Sequence, residues 1–243
     1  MGFKFEDHIE SIFTWKLDSR VEEKVKDTCL YKYVSNLRNI WLPSRHMKDQ
    51  INSYDATDKS FSINGKKIYL GLEDVFFITG LPIKGRPVTV DESLLKDEFE
   101  EYFGLPTSKG TTFSVPLLKE FESLPEIASD DRITKSTRAY LLYILGCVIF
   151  PSSWRKFELP YAFLHFVKNV EDVDKYAWGA AVLANTHNAL KRKTQSLLGA
   201  NGLLLSIFMM VHIPSIVMCF PNPNSWPLCL DYWNCNNRSA FAK

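Results

Sequence analysis

The chain has 243 residues, of which 46% are hydrophobic and 23% are charged, and this composition excludes an intrinsically disordered protein. Its 29 Lys and Arg residues nearly balance its 28 Asp and Glu residues, so a nucleic-acid-binding protein with a broad basic face is disfavoured. The five cysteines are odd in number and irregularly spaced, which favours free thiols in a reducing compartment over a disulfide framework.

The first predicted element is a helix over residues 21–41. Apolar side chains recur there at every fourth position, which is the spacing of one helix face: Val21, Val25, Cys29, Tyr33 and Leu37. Pro43 follows closely, and helices tend to end at or before the residue that precedes a proline. We therefore expect a helix that buries one face and ends near Trp41.

Residues 60–70 carry the clearest local signal in the chain. The dipeptide Asn64-Gly65 stands between two short alternating segments, and this dipeptide favours a two-residue hairpin turn. Such a turn places Phe61 opposite Ile68. Because a hairpin of this size is barely stable alone, both side chains are expected to face a helical core.

A short helix is predicted over residues 72–79, with the sequence LEDVFFIT. Glu73 and Asp74 lie in its first turn, where the helix dipole favours negative charge. Gly80 suits the left-handed position that follows a helix, and Pro82 prevents the helix from continuing.

Four further segments are predicted as helices before residue 170. The first is an acidic helix over residues 92–103, and the second is capped by Ser114 and runs through Leu124. Residues 136–150 are almost wholly apolar, which predicts a central helix buried on several faces and ended by the proline that follows. A shorter helix is expected over residues 159–167.

The most amphipathic predicted helix spans residues 173–191. Its apolar stripe comprises Val173, Tyr176, Ala177, Ala180, Ala184, His187 and Leu190. The small residues 179–181 would permit a close helix crossing.

Residues 197–220 are uncharged and long enough to cross a bilayer. Asn201, Gly202, His212 and Pro214 interrupt the segment, so a buried core helix is favoured and a membrane span is the alternative.

The predicted fold is therefore mainly α, a single multi-helix domain with one small β-hairpin at about residues 60–70. We expect one unit over residues 1–243, with its core in 21–220 and an irregular tail in 221–243. The tail shows no periodicity, and the chain is expected to end before the last part of the domain.

Histidines and cysteines are the first side chains to test for chemistry. His187 lies on the apolar stripe of its helix, where a core histidine satisfied by a neighbour is favoured over a catalytic base, and His165 and His212 are interpreted alike. Cys147 lies in an apolar run and is expected to be an inert core thiol. A zinc site is disfavoured because the spacings are wider than those of structural zinc sites, although the candidate ligands would be His212, Cys219, Cys229 and Cys235.

Charged side chains give a similar result. Glu73 and Asp74 are adjacent on one helix, so they point in different directions and do not make an acid–base pair. Lys84 and Arg86 belong to a glycine-containing turn that lacks the ending of a phosphate-binding loop. The basic cluster at residues 191–193 suits a helix C-terminus, with a short nuclear-localisation element as the alternative.

Three blocks together resemble the plant mobile domain family, which includes the maintenance-of-meristems and MAIN-like proteins. They are IYLGLEDVFFITGLPIKGRPV at residues 68–88, RAYLLYILGCVIFP at residues 138–151 and VDKYAWGAAVLANTHNAL at residues 173–190. The residues that carry the resemblance are interpreted as structural: Leu72, Glu73, Asp74, Val75, Gly80, Leu81, Pro82, Arg138, Trp178 and Gly179.

The resemblance implies a non-enzymatic, nuclear protein-interaction module, with a cytoplasmic location as the alternative. Family members act in meristem maintenance and in silencing of transposable elements, in some cases with a phosphoprotein-phosphatase-like partner, and others are transposon-derived. No catalytic, cofactor-binding or metal-binding residue is assigned, and protein partners are expected. The alternative hypothesis is a transposase-derived, metal-dependent nuclease or hydrolase, which would need converging carboxylates.

Overall fold

The protein is mainly α-helical, as predicted, with two small antiparallel sheets. The computed structural model describes residues 9–35, 51–89, 96–107, 110–151, 157–192 and 201–212. The core is centred on one long helix near the middle of the chain, and elements from both halves of the sequence pack around it.

Three short helices form the N-terminal part: α1 (Ile9–Phe13), α2 (Ser19–Val25) and α3 (Cys29–Ser35). The single helix predicted over residues 21–41 is therefore wrong, and residues 36–41 lie outside the described residues. The helix is interrupted at Thr28. The Thr28 hydroxyl donates to the Val25 carbonyl at 2.7 Å and accepts from the Tyr31 amide at 3.3 Å. These local bonds compete with a continuous helix.

A three-stranded sheet follows in the order β1 (Tyr54–Asp55), β2 (Ser60–Ile63) and β3 (Lys66–Tyr69). The predicted hairpin is confirmed, with Phe61 opposite Ile68 and the turn residues at positive φ. Phe61 is fully buried and Ile68 is half-buried. Strand β1 was not predicted, because two residues are too few to show an alternating pattern.

Helix α4 (Leu72–Thr79) confirms the prediction, including its left-handed end at Gly80. The Asp74 carboxylate accepts a 2.7 Å hydrogen bond from the Gly71 amide, which is one half of a capping box. Gly71 has no side chain with which to cap the amides of the first turn. Helix α5 (Lys96–Phe103) covers the described part of the acidic helix, since residues 92–95 lie outside the described residues.

A two-stranded sheet joins β4 (Thr112–Ser114) to β5 (Glu158–Pro160). The helix predicted from Ser114 through Leu124 is wrong in type, because a 3-10 helix at Val115–Phe121 takes its place and Ser114 makes no side-chain cap. The helix predicted over residues 159–167 is also wrong in part. Its first residues form β5 and a 3-10 turn, and only α7 (Leu164–Val167) is α-helical.

Helix α6 (Asp130–Ile144) is the central helix, and it continues into a π-helical turn at Leu145–Ile149. The helix begins six residues before the predicted start, because the Ser129 hydroxyl caps it by accepting from the Arg132 amide at 3.2 Å. The first turns are polar, so the apolar pattern alone missed them. The second half is buried on every side, as predicted.

Helix α8 (Trp178–Arg192) confirms a helix in the third block but begins five residues later than predicted. Residues 170–175 form a 3-10 turn, and Tyr176 is extended. Of the predicted stripe, Val173, Tyr176, Ala177 and Leu190 are buried, Ala180 and His187 are half-buried, and only Ala184 is exposed. The residues that α8 buries are Trp178, Gly179, Val182, Thr186, Ala189 and Leu190.

Helix α9 (Gly202–His212) is the described part of the long uncharged segment, and its residues 202–209 are buried. The Asn201 side chain caps it by accepting from the Leu204 amide at 2.9 Å and donates to the Val148 carbonyl at 3.1 Å. Over the described residues, no helix combines the length and apolarity that a membrane span requires.

Candidate functional site

A backbone tether joins the first and third sequence blocks. The Arg86 amide donates to the Lys175 carbonyl at 2.7 Å, and the Ala177 amide donates to the Arg86 carbonyl at 2.9 Å. Gly85 makes this approach possible, since its φ is +141° and a Cβ there would lie 2.4 Å from the Lys175 carbonyl oxygen. The tether holds Tyr176 in an extended conformation, between the 3-10 turn at residues 170–175 and helix α8.

Trp178 is completely buried and joins the second and third blocks. Its ring centroid lies 6.3 Å from that of Phe150 and 5.6 Å from that of Phe166. The indole Nε1 donates to the Val173 carbonyl at 2.7 Å, so the polar edge of the ring is also satisfied.

Gly179 lies against the segment between Leu81 and Ile83. Its amide donates to the Pro82 carbonyl at 2.8 Å, and a Cβ there would lie 2.9 Å from the Ile83 Cγ2 atom. The small residue therefore permits a close approach to a loop, whereas the sequence predicted a close crossing of helices.

Helix α4 is fixed from one side by these contacts. It buries Val75, Ile78 and Thr79, and the Thr79 hydroxyl accepts from the amide of the fully buried Leu81 at 3.1 Å. Arg138 lies elsewhere, on α6.

The opposite side of α4 is exposed and carries large apolar side chains together with Glu73. Leu72 is 42% exposed and Phe77 is 53% exposed, while Tyr69, three residues before the helix, is 56% exposed. The Phe76 ring lies edge-on to that of Phe77 at 6.1 Å. We call Tyr69, Leu72, Phe76 and Phe77 the α4 face.

From the sequence, Leu72 was interpreted as a structural residue, and the α4 face was not predicted. A signal for it exists in LEDVFFIT, where five of the eight residues are large and apolar. A two-turn helix with one buried side cannot bury all of them, so some must point outward. Glu73 is exposed next to this face.

Arg138 is half-buried beside the ring of Tyr102, with 4.7 Å between its guanidinium carbon and the ring centroid. The Lys135 ammonium lies 5.6 Å from the same ring. Among the described residues, no hydrogen-bond partner meets the buried Arg138 Nε or the buried Tyr102 hydroxyl. The Asp131 carboxylate pairs with the Lys135 ammonium at 3.2 Å. This cluster therefore combines two cations, one ring and a carboxylate that is already ion-paired.

His187 is half-buried and satisfied on both ring nitrogens, as predicted for a core histidine. Nε2 lies 3.2 Å from the Leu70 carbonyl, which can only accept, so Nε2 carries the proton. Nδ1 then accepts from the Tyr54 hydroxyl at 2.8 Å. Burial lowers the pKa of His187 below its ordinary value of 6.5, because desolvation disfavours the imidazolium.

This histidine gives a pH-dependent stability with a defined sign. Because the folded state binds the proton less tightly than the unfolded chain, the contribution is lost as the pH falls below 6.5. We expect the free energy of unfolding to rise between pH 5 and pH 7. Urea denaturation of His187→Leu should show a smaller rise, whereas His165→Gln, at an exposed site, should keep the full rise. If the free energy of unfolding of His187→Leu rose with pH as steeply as that of the unchanged protein, His187 would not be the source of the pH dependence.

The other predicted side chains lie apart from one another. Cys147 is buried, and burial raises its pKa, as expected of a core thiol. His165 is exposed, which corrects the interpretation of it as a core histidine, because α7 turns that position outward. His212 is half-buried, with Nδ1 2.9 Å from the Phe208 carbonyl.

The remaining charged candidates either are exposed to solvent or lie outside the described residues. Lys84 and Arg86 are exposed, and so are residues 191–192 at the end of α8, while Lys193 lies outside the described residues. The three cysteines of the disfavoured zinc site, Cys219, Cys229 and Cys235, also lie outside them. Within the part of the chain that the structure describes, no three His, Cys, Asp or Glu side chains meet as a metal site.

Comparison with known proteins matches residues 57–217 to the model of the plant mobile domain. Protein MAIN-LIKE 2 of Arabidopsis thaliana is 26% identical over 190 residues, covering 76% of this chain and 28% of the relative. Protein MAINTENANCE OF MERISTEMS from the same plant is 30% identical over 152 residues, covering 58% and 32%.

A third Arabidopsis thaliana relative, serine/threonine-protein phosphatase 7 long form homolog, is 25% identical over 187 residues, covering 74% of this chain and 14% of the relative. The chain thus spans about a third or less of the length of these three relatives. No solved structure matches the chain significantly.

Proposed function

The chain belongs to the plant mobile domain family, and from this premise we propose that it works as a non-enzymatic protein-interaction module in the nucleus. We propose further that it serves meristem maintenance and silencing of transposable elements, as a host protein or as a transposon-derived relic. The name of the relative MAINTENANCE OF MERISTEMS supports the first of these roles.

The observation that carries the proposal is the α4 face. Single exposed apolar residues are ordinary on protein surfaces, but Tyr69, Leu72 and Phe77 lie within nine residues of one another. Clustered exposed aromatic side chains mark interaction sites, because covering them removes apolar area from water. The opposite side of α4 is fixed in the core, so the face is presented on a rigid element.

The partner we propose is a phosphoprotein-phosphatase-like protein. The relative named as a phosphatase 7 long form homolog matches this chain over 187 residues, which supports a link between this kind of domain and such proteins. The exposed basic residues Lys191 and Arg192 are compatible with nuclear import.

A paired purification tests the proposal. The tagged chain and its Tyr69→Thr/Phe77→Gln variant are expressed in plant nuclei, and captured proteins are quantified by mass spectrometry. The replacements keep strand and helix propensity while removing two aromatic contacts. We expect a phosphatase-like protein with the unchanged chain and at least about tenfold less of it with the variant, as for interface hot spots.

Ile127→Gln is the matched control for this experiment. Ile127 is 94% exposed and lies in the loop before α6, so its replacement removes apolar surface away from the α4 face. This variant should capture the partner as the unchanged chain does. Equal loss in the control and in the α4-face variant would show that general surface hydrophobicity, rather than this face, drives capture.

A further inference from the structure

Strand β3 (Lys66–Tyr69) is an edge strand of the three-stranded sheet, and the α4 face begins at its last residue. Among the described residues, no strand pairs with its outer side. The side chain of Lys67 is 59% exposed and Tyr69 is 56% exposed. An uncovered edge strand can pair with a further strand, because its outward N–H and C=O groups lack a partner in the sheet.

The register of the sheet shows which backbone groups of β3 point outward. Ser62 in β2 lies opposite Lys67, and the Ser62 amide donates to the Ser53 carbonyl at 3.3 Å, on the side of β2 away from β3. Ser62 and Lys67 are therefore a non-hydrogen-bonded pair, because antiparallel pairs alternate between bonded and non-bonded. The N–H and C=O groups of Lys67, and of Tyr69 two residues later, thus point away from β2.

The side chains of Lys67 and Tyr69 lie on the same face of β3, since they are two residues apart. A lysine on an edge strand usually hinders pairing with another strand. Here the Lys67 ammonium forms an ion pair with Asp58, which reduces its repulsion of a second basic strand. An incoming strand would be complementary if it placed an aromatic ring opposite Lys67 and a cation opposite Tyr69. Strand β3 itself carries these two side chains in the order that antiparallel pairing requires.

We propose that two copies of this chain associate through β3, antiparallel about a two-fold axis, with Lys67 of one copy opposite Tyr69 of the other. In this register the outward backbone groups of both residues exchange hydrogen bonds with the second copy. Each ammonium lies against a tyrosine ring, and the half-buried Ile68 side chains lie opposite each other on the other face.

The other symmetric registers are less favourable. Pairing Lys67 with Lys67 of the second copy would place like charges directly opposite each other. Pairing Tyr69 with Tyr69 would leave Lys67 opposite Gly71, which lies outside the strand. The proposed register is therefore the symmetric one that pairs the strand without opposing charges.

Sedimentation velocity of the purified full chain tests the association. A contact between two short strands is small, so the dimer should be weak and depend on concentration. We expect the mean mass to rise from that of one chain at about 1 µM, with about half of the protein dimeric at about 200 µM. A single species with the mass of one chain at every concentration would overturn the proposal.

Amide hydrogen exchange measured by nuclear magnetic resonance identifies the strand that forms the contact. The amides of Lys67 and Tyr69 should exchange about twofold more slowly when half of the protein is dimeric. Those of Lys66 and Ile68 should not change, because they already bond to β2. A dimer without slower exchange at Lys67 and Tyr69 would overturn the assignment to β3.

Lys67→Gln and Tyr69→Thr should each weaken the dimer about fivefold, because each removes both cation–π contacts. Lys66→Gln is the matched control, an exposed neighbouring lysine whose side chain lies on the other face of β3, and it should leave the dimer unchanged. Equal effects of Lys66→Gln and Lys67→Gln would overturn the register. Melting temperatures establish that each variant is folded.

Phe77→Gln distinguishes this inference from the proposed function. The replacement alters the α4 face but not β3, so it should leave the dimer unchanged. Loss of the dimer in Phe77→Gln would place the contact on the α4 face and overturn the proposal. Since sedimentation is measured without a partner protein, a failure to capture a partner would leave this result standing.

Discussion

Replacing Trp178 with Ala is expected to lower the free energy of unfolding by about 3–5 kcal/mol, as for other fully buried aromatic residues. The ring has no exposed surface, contacts Phe150 and Phe166, and donates to the Val173 carbonyl. Truncation would leave a cavity between the second and third blocks and an unpaired buried carbonyl. Urea denaturation monitored by far-ultraviolet circular dichroism measures the change.

Ile127→Ala provides the comparison for this measurement. Ile127 is 94% exposed, so its truncation should change the free energy of unfolding by less than about 0.5 kcal/mol. A Trp178→Ala variant as stable as Ile127→Ala would mean that the indole ring lies outside the core.

Replacing Gly85 with Ala is expected to destabilise the protein by about 3 kcal/mol, from steric overlap and backbone strain together. A Cβ at this position would lie 2.4 Å from the Lys175 carbonyl oxygen, which is backbone and cannot rotate away. The residue also has a φ of +141°, which a side chain disfavours. If the two backbone segments moved apart to relieve this overlap, the hydrogen bonds that Arg86 makes with Lys175 and Ala177 would break.

Gly104→Ala distinguishes the effect of steric overlap from that of backbone strain. Gly104 also has a positive φ, +69°, but a Cβ there would meet nothing within 4 Å. Its replacement should therefore cost only the backbone term of about 1–2 kcal/mol. Equal destabilisation by the two replacements in urea denaturation would show that the tether between the first and third blocks is not a tight contact.

Local signals in the sequence predicted the elements that local chemistry determines. The hairpin turn at Asn64-Gly65 and the end of α4 at Gly80 both need positive φ, and residues that favour such backbone stand there. The central helix was found from its apolar residues, but its start was missed because Ser129 and the polar first turns do not share that pattern.

Long-range contacts account for the elements that were predicted wrongly. Strand β4 exists because Phe113 pairs with Leu159, 46 positions away, and no local pattern reports such a partner. The helix predicted from residue 173 starts only at Trp178, because Tyr176 forms a bridge with Arg86 and no helix passes through residues 173–177. Val173, Tyr176 and Ala177 are nevertheless buried, whereas Ala184, within α8, is exposed.

The candidate site was predictable only in part. The three blocks identified the residues that join α4 to α8. The exposure of Phe77, however, depends on which side of α4 is held against the core, and long-range contacts such as the tether determine this. The contact between Arg138 and the Tyr102 ring joins α6 to α5, and the two residues are 36 positions apart. Such a contact cannot be read from spacing along the chain.

The most direct test of the central claim, that α4 is fixed on one side and binds a partner with the other, is the ratio of partner captured by the α4-face variant to that captured by the unchanged chain. The measurement is made in nuclei at equal expression, with the melting temperature of each purified protein as the check on folding. We predict a ratio of about one tenth or less for Tyr69→Thr/Phe77→Gln, a ratio near one for Ile127→Gln, and similar melting temperatures for all three proteins. A ratio near one for the folded α4-face variant would contradict the account.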